Sequence, residues 1–154
     1  MKSGRAKYIL LVIPVMMGLN ACNDKSLYHQ FRAAGSWDQE QSLNFGDSLM
    51  FQQCRSKDMD LTLFVRNNNL YPYSNLRLYI DIYLPDTCYH DYTDMILSNE
   101  KGKWTGAGWG SLFTHKKHLR KIPYSPYFSI KIRHAMQDKT LEGIQDIGIR
   151  LATP

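Results

Sequence analysis

Long apolar runs are what this chain has least of. The longest, Tyr8 to Leu19, is twelve residues, against the ~20 that a membrane-spanning helix needs. Pro14 and Gly18 weaken it further as a span. Proline and glycine are modest too, at six and ten of 154 residues, while 44% of the chain is apolar. A polytopic membrane protein, a collagen-like repeat and a disordered tail are all excluded. Cysteine occurs three times, at positions 22, 54 and 88. What remains suits one domain with a real core.

The net charge of +5 suggests a polyanion partner, but its distribution argues otherwise. Lys2, Arg5 and Lys7 all precede the apolar run, and Leu19-Asn20-Ala21-Cys22 follows it. A basic head, a short apolar stretch and a small residue before cysteine are signal-peptide proportions, with an ending similar to a bacterial lipobox. Cleavage before Cys22 would leave 133 residues with a net charge of +2. The mature chain is therefore nearly balanced and gives no reason to expect nucleic acid. Cys22 is expected to carry the acyl chains. Two or three chains hold a protein stably at a membrane, since each buried methylene contributes ~0.8 kcal/mol. That expectation puts the domain in the cell envelope, on the periplasmic side or the cell surface. Cys54 and Cys88 would then sit in an oxidising compartment, where they either pair or remain separate thiols.

Beyond Cys22 the period-2 pattern dominates. Leu76, Leu78, Ile80, Ile82 and Leu84 alternate with Arg77, Tyr79, Asp81 and Tyr83. Leu61, Leu63 and Val65 do the same, as do Phe128, Ile130 and Ile132, and Ile147, Ile149 and Leu151. These are half-buried strands. Shorter strands are expected in 48–53, 92–97 and 109–114, and local helix only in 26–33 or 135–142. Turn signals separate the strands: Asn67-Asn68-Asn69, Pro85-Asp86, Asn99-Glu100-Lys101-Gly102 and the stretch from Pro123 to Pro126. The pattern predicts an all-β protein, a single antiparallel two-sheet β-sandwich, jelly-roll-like, after a lipoprotein signal peptide. The expected division is signal peptide 1–21, tether and N-terminal segment 22–35, and sandwich 36–154.

No catalytic constellation stands out. His115-x-x-His118, with His90, Asp91 and Asp94, comes nearest to a metal set, but 114–118 reads as a solvated basic loop and strand geometry would split the two histidines between faces. The run Gly106-Ala107-Gly108-Trp109-Gly110 lacks the spacing of a phosphate loop and reads as a tight β connection. Ser48, Ser111 and Ser129 have no nucleophile elbow around them. Neither enzymatic activity nor a cofactor nor a metal is expected. Aromatic residues are the remaining functional clue. Tyr79 and Tyr83 should face away from the aliphatic side of their strand, while Trp104 and Trp109 bracket the glycine run.

Arg66-Asn67-Asn68-Asn69-Leu70-Tyr71-Pro72-Tyr73-Ser74-Asn75-Leu76 resembles the signature of the gliding-motility lipoprotein GldH family of Bacteroidetes. Trp37-Asp38, Gly102-Lys103-Trp104-Thr105-Gly106 and the stretch from Leu141 to Ile149 agree with it in the same order. The resemblance implies a membrane-anchored, non-enzymatic component of the gliding apparatus, working alongside type IX secretion, with envelope proteins as partners. It transfers no catalytic residue and no disulfide. Tyr71, Tyr73, Trp104 and Trp109 form the candidate partner surface, because large aromatics beside glycines make good interface anchors. Tyrosines packed over the end of the sandwich are the competing reading of Tyr71 and Tyr73. A glycan-binding envelope lipoprotein, with Trp or Tyr as stacking platforms, is the alternative function.

Overall fold

A computed structural model describes residues 26–48 and 56–154, with the side chains of Asp47 and Ser48 left out. Its elements are all strands: β1 Ser26–Ala33, β2 Trp37–Asp38, β3 Leu43–Ser48, β4 Asp58–Asn67, β5 Asn75–Leu84, β6 Thr87–Ile96, β7 Ala107–Trp109, β8 Leu112–Pro123, β9 Tyr127–His134, β10 Thr140–Leu141 and β11 Ile144–Ala152. They form a five-stranded sheet in the order β1-β11-β4-β8-β7 and a four-stranded sheet in the order β3-β9-β5-β6. Every pairing is antiparallel. A small β2-β10 ladder lies beside them.

The two sheets share one core, which makes the fold a sandwich. From the larger sheet come Leu61, Leu63 and Val65 of β4, with Ile147, Ile149 and Leu151 of β11. From the smaller come Leu76, Leu78, Ile80 and Ile82 of β5, with Ile130 and Ile132 of β9. All ten are buried. The alternation predicts this, because successive side chains on a strand point to opposite faces. Tyr28 of β1 meets Phe128 of β9 edge to face, at 4.9 Å between centroids, and joins the sheets at one side. Trp37 is fully buried, donates its indole N–H to the Gln41 carbonyl at 3.0 Å and packs its ring against His134.

Several expectations change. Residues 26–33 form strand β1, paired with β11 from Ser26 to Ala33, rather than a helix or a tether. The sandwich therefore includes them and does not begin at 36. Only Tyr28 of that strand is buried, so the alternation that marks other strands is weak there. Residues 135–142 form bends and the short β10, with no helix. The supposed basic loop 114–118 lies inside β8, paired with β4 throughout. The expected strand 109–114 is instead a hairpin tip, with Trp109 closing β7 and Leu112 opening β8. Of 48–53, Ser48 ends β3 and the rest lies outside the described residues.

The register also orients the molecule. Ser26 pairs with Ala152, which pairs with Asp60 near the start of β4. The other end of β4, Asn67, pairs with Phe113 and Ile144. Ten residues of β4 separate these ends, about 30 Å at ~3.3 Å per residue. The chain therefore enters at one end of the sandwich, and the β7-β8 hairpin stands at the other.

Candidate functional site

The end opposite Ser26 collects the loops between β4 and β5, β6 and β7, and β7 and β8, and with them all four aromatics singled out by sequence. Its frame is the asparagine run. Asn67 is fully buried, and its side-chain oxygen lies 2.9 Å from Nε2 of His115, which is itself buried on the core side of β8. Asn68 accepts the Leu70 amide at 2.9 Å through its side chain, which closes the turn. Asn69 accepts the indole N–H of Trp104 at 3.0 Å. Three consecutive asparagines thus fasten three different parts of this end.

Tyr71 sits inside that frame. Only 3% of it is exposed, and its hydroxyl donates to the Asn75 carbonyl at 2.8 Å. Its ring lies 5.8 Å from Tyr73 and 6.5 Å from Trp104. Burial, and after it the neighbouring Tyr73 hydroxyl, pushes the Tyr71 phenol well above its usual range. Gly143 makes the burial possible. It sits at φ +85°, and a Cβ there would lie 2.2 Å from the Tyr71 amide nitrogen. Tyr71 is therefore a core residue and not part of a partner surface. Its corner buries the ring instead of presenting it, as the competing reading expected.

The other three differ in degree. Tyr73 is half-buried and donates its hydroxyl to Asp138, a bond that raises its pKa. Trp104 is half-buried between Tyr71 and Phe113, with its only polar atom committed to Asn69. Trp109 is 96% exposed at the tip of the hairpin. The glycine beside it lets β7 come close to β8: a Cβ on Gly108 would lie 2.3 Å from the Leu112 carbonyl oxygen. Leu70, 73% exposed, Ile96, 64% exposed, and Leu112 are other large apolar side chains exposed at this end. Sequence reasoning missed Leu70. Its position inside the asparagine turn was a signal, because a turn that uses its polar neighbours internally leaves the apolar one outside.

Elsewhere the chemistry-bearing residues are dispersed. His115 faces inward to Asn67, while His118 faces outward beside Asp60 at 3.2 Å. His90 contacts Asp81 at 2.7 Å, Asp91 accepts from Arg120 at 2.9 Å, and Asp94 accepts from Asn75 and Arg77. Among the described residues no three His, Cys, Asp or Glu side chains converge on one point. Cys88 is exposed at the start of β6, whereas Cys22 and Cys54 lie outside the described residues. Tyr79 and Tyr83 face outward from β5, 49% and 38% exposed. The Tyr79 ring is tilted 54° against that of Tyr92. A groove of about 530 Å³ between β6 and β8 has Phe64 as its single aromatic lining residue. Among the described residues no helix is long and apolar enough to cross a membrane.

Comparison with known proteins bears out the family resemblance. A family model described as GldH lipoprotein matches residues 26–151. A protein of Christiangramia forsetii described as gliding motility lipoprotein GldH homolog is 28% identical, over 98% of this chain and 97% of its own length. The gliding motility lipoprotein GldH of Flavobacterium johnsoniae is 24% identical, over 93% of each chain.

Proposed function

The chain belongs to the GldH lipoprotein family, and from that premise we propose that it is a lipid-anchored, non-enzymatic component of the gliding machinery, working alongside type IX secretion. Cys22 confines the domain to a membrane surface and raises its effective concentration near envelope partners. The end opposite Ser26 is the part that engages them. Trp109 carries this reading: an indole 96% exposed on a hairpin tip stabilises nothing in the isolated domain and has the chemistry of an interface anchor. Leu70 and Leu112 extend the apolar surface at the same end. Tyr71 and Trp104 support it from within.

A protein partner suits this end better than a glycan does. Sugar stacking needs rings that line a groove or lie in one plane, and here the most exposed ring stands on a protruding tip. Trp109→Ala is the decisive variant. It should unfold within about 0.5 kcal/mol of the parent protein, because nothing is lost from the core. It should also lose cross-links to envelope proteins, together with the motility or secretion phenotype. A variant that keeps every cross-link, or that unfolds, would overturn the assignment.

A further inference from the structure

The outer face of the five-stranded sheet carries a row that neither the family nor the distal end accounts for. His29 of β1 pairs with Arg150 of β11, Arg150 with Thr62 of β4, and Thr62 with His118 of β8. Side chains directly opposite on neighbouring antiparallel strands share a face. These four therefore form one line across four strands. One step along the strands, Phe64 pairs with Lys116. His29, Thr62, Phe64, Lys116, His118 and Arg150 line a shallow depression of about 620 Å³.

Five of those six side chains can donate hydrogen bonds, and none is a carboxylate. Of the nearby acids, Asp146 holds Arg66, while Asp60 contacts His118 of the row itself at 3.2 Å. Phe64 supplies a wall, with its ring 5.2 Å from His29 and 5.9 Å from Phe31. Arg150 and Lys116 stand on either side of the strand that carries Thr62 and Phe64, two strands and two residues apart, about 12 Å between backbones at ~4.8 Å per strand and ~3.4 Å per residue. That spacing suits two cations closing on one anionic group from opposite sides.

We propose that this depression binds the phosphate headgroup of an anionic phospholipid. The choice of occupant rests on the acylated Cys22 of the preceding section. His29 lies three residues into the strand that follows the tether, and four tether residues span at most ~14 Å. The end of the sheet at Ser26 is thereby held near the lipid surface, where lysine and arginine gain from anionic headgroups. Lys116 and Arg150 contact the phosphate, Thr62 and the histidines add hydrogen bonds, and Phe64 packs against the glycerol carbons. The domain then lies with this sheet toward the bilayer, so the lipid fixes its orientation as well as its location.

Calorimetry on the purified full protein in neutral detergent tests the site whether or not Cys22 is acylated, so its result is separate from that of the anchor. The probes are dihexanoyl phosphatidylglycerol, dihexanoyl phosphatidylcholine, glucose 6-phosphate and inorganic phosphate. Phosphatidylglycerol should bind at least about tenfold more tightly than the zwitterionic lipid, because only it keeps a net charge. Lys116→Gln and Arg150→Gln should each weaken it by about threefold or more, while Lys131→Gln on the opposite face leaves it unchanged. Equal binding of the two lipids would overturn the proposal. So would a soluble phosphate binding as tightly as the lipid, which would make this a site for free anions. A loss with Lys131→Gln equal to that with Lys116→Gln would show only diffuse attraction and would overturn it as well.

Discussion

Gly143 and Gly102 offer a controlled measurement of what holds the asparagine corner shut. Both have positive φ, +85° and +75°. An added Cβ at Gly102 meets nothing within 4 Å, whereas at Gly143 it lies 2.2 Å from the Tyr71 nitrogen and 2.7 Å from the Leu70 carbonyl carbon. Those neighbours are backbone and cannot rotate away. Gly102→Ala should therefore cost only the left-handed strain of an L-residue, ~1–2 kcal/mol. Gly143→Ala adds an overpacking cost of ~1–3 kcal/mol. Its carbonyl also accepts the Asn68 amide at 2.9 Å, so moving the backbone to relieve the clash weakens that bond too. The expected total is ~3–5 kcal/mol, a large share of a typical domain's 5–15, and about 10–20 °C in Tm. Urea and thermal unfolding of the two variants, side by side, measure the difference. Equal losses would mean that the chain at Tyr71 yields freely, and that the corner is not the rigid support described here.

Four further outcomes are expected. Ile80→Ala, fully buried in β5, should cost ~2–5 kcal/mol, against under ~1 for exposed Arg77→Ala, and denaturant titration giving equal costs would refute the facing of that strand. Burial holds the pKa of both His115 and His134 below the usual imidazole value, so unfolding takes up protons. Their contribution is fully present above about pH 6.5 and is lost as pH falls below it, by up to ~1.4 kcal/mol per unit for each; urea midpoints identical at pH 7.5 and 5.5 would contradict this. Mass spectrometry of mature protein from the envelope should find Cys22 at the N-terminus carrying acyl chains, and an unmodified Cys22 would remove the anchor. Thiol counting on the exported, unfolded protein decides between the two readings of Cys54 and Cys88, with one disulfide expected if they pair and two reactive thiols if they stay apart.

Strands β4, β5, β9 and β11 were legible because each buries aliphatic side chains on one face and leaves polar ones on the other. β8 was not, and the reason lies in its position. It faces β6 across an open side of the sandwich, where the inward positions need not be aliphatic. Lys117 reaches across to donate to the Asp94 carbonyl at 2.9 Å. Arg120 reaches Asp91 at 2.9 Å and lays its guanidinium over the Tyr89 ring at 3.9 Å. A bulge between Arg120 and His118 shifts the phase as well. Hydropathy alternation thus disappears from a strand that is paired with β4 along nearly all of its length. β1 hides differently, as an edge strand with one buried residue and a bulge near its start.

The candidate site shows a subtler limit on what composition can disclose. An Asn-Asn-Asn turn followed by Leu-Tyr-Pro-Tyr reads equally well as a recognition loop or a structural corner, since both need turn formers and aromatics. What separates them is where the polar groups are spent. Here each asparagine side chain is engaged, on His115, on the Leu70 amide and on Trp104, and the Tyr71 hydroxyl is engaged on Asn75. A loop whose hydrogen-bonding groups are already satisfied has few left to offer a partner. Recognition at this end then falls to groups that the corner holds but does not consume, the Leu70 side chain and the Trp109 indole. The tyrosines that make the motif recognisable are the scaffold, and the binding residues lie at its margin. Replacing Tyr71 should therefore abolish function by unfolding the support. Replacing Trp109 should abolish it with the fold intact, and only the second result identifies a contact.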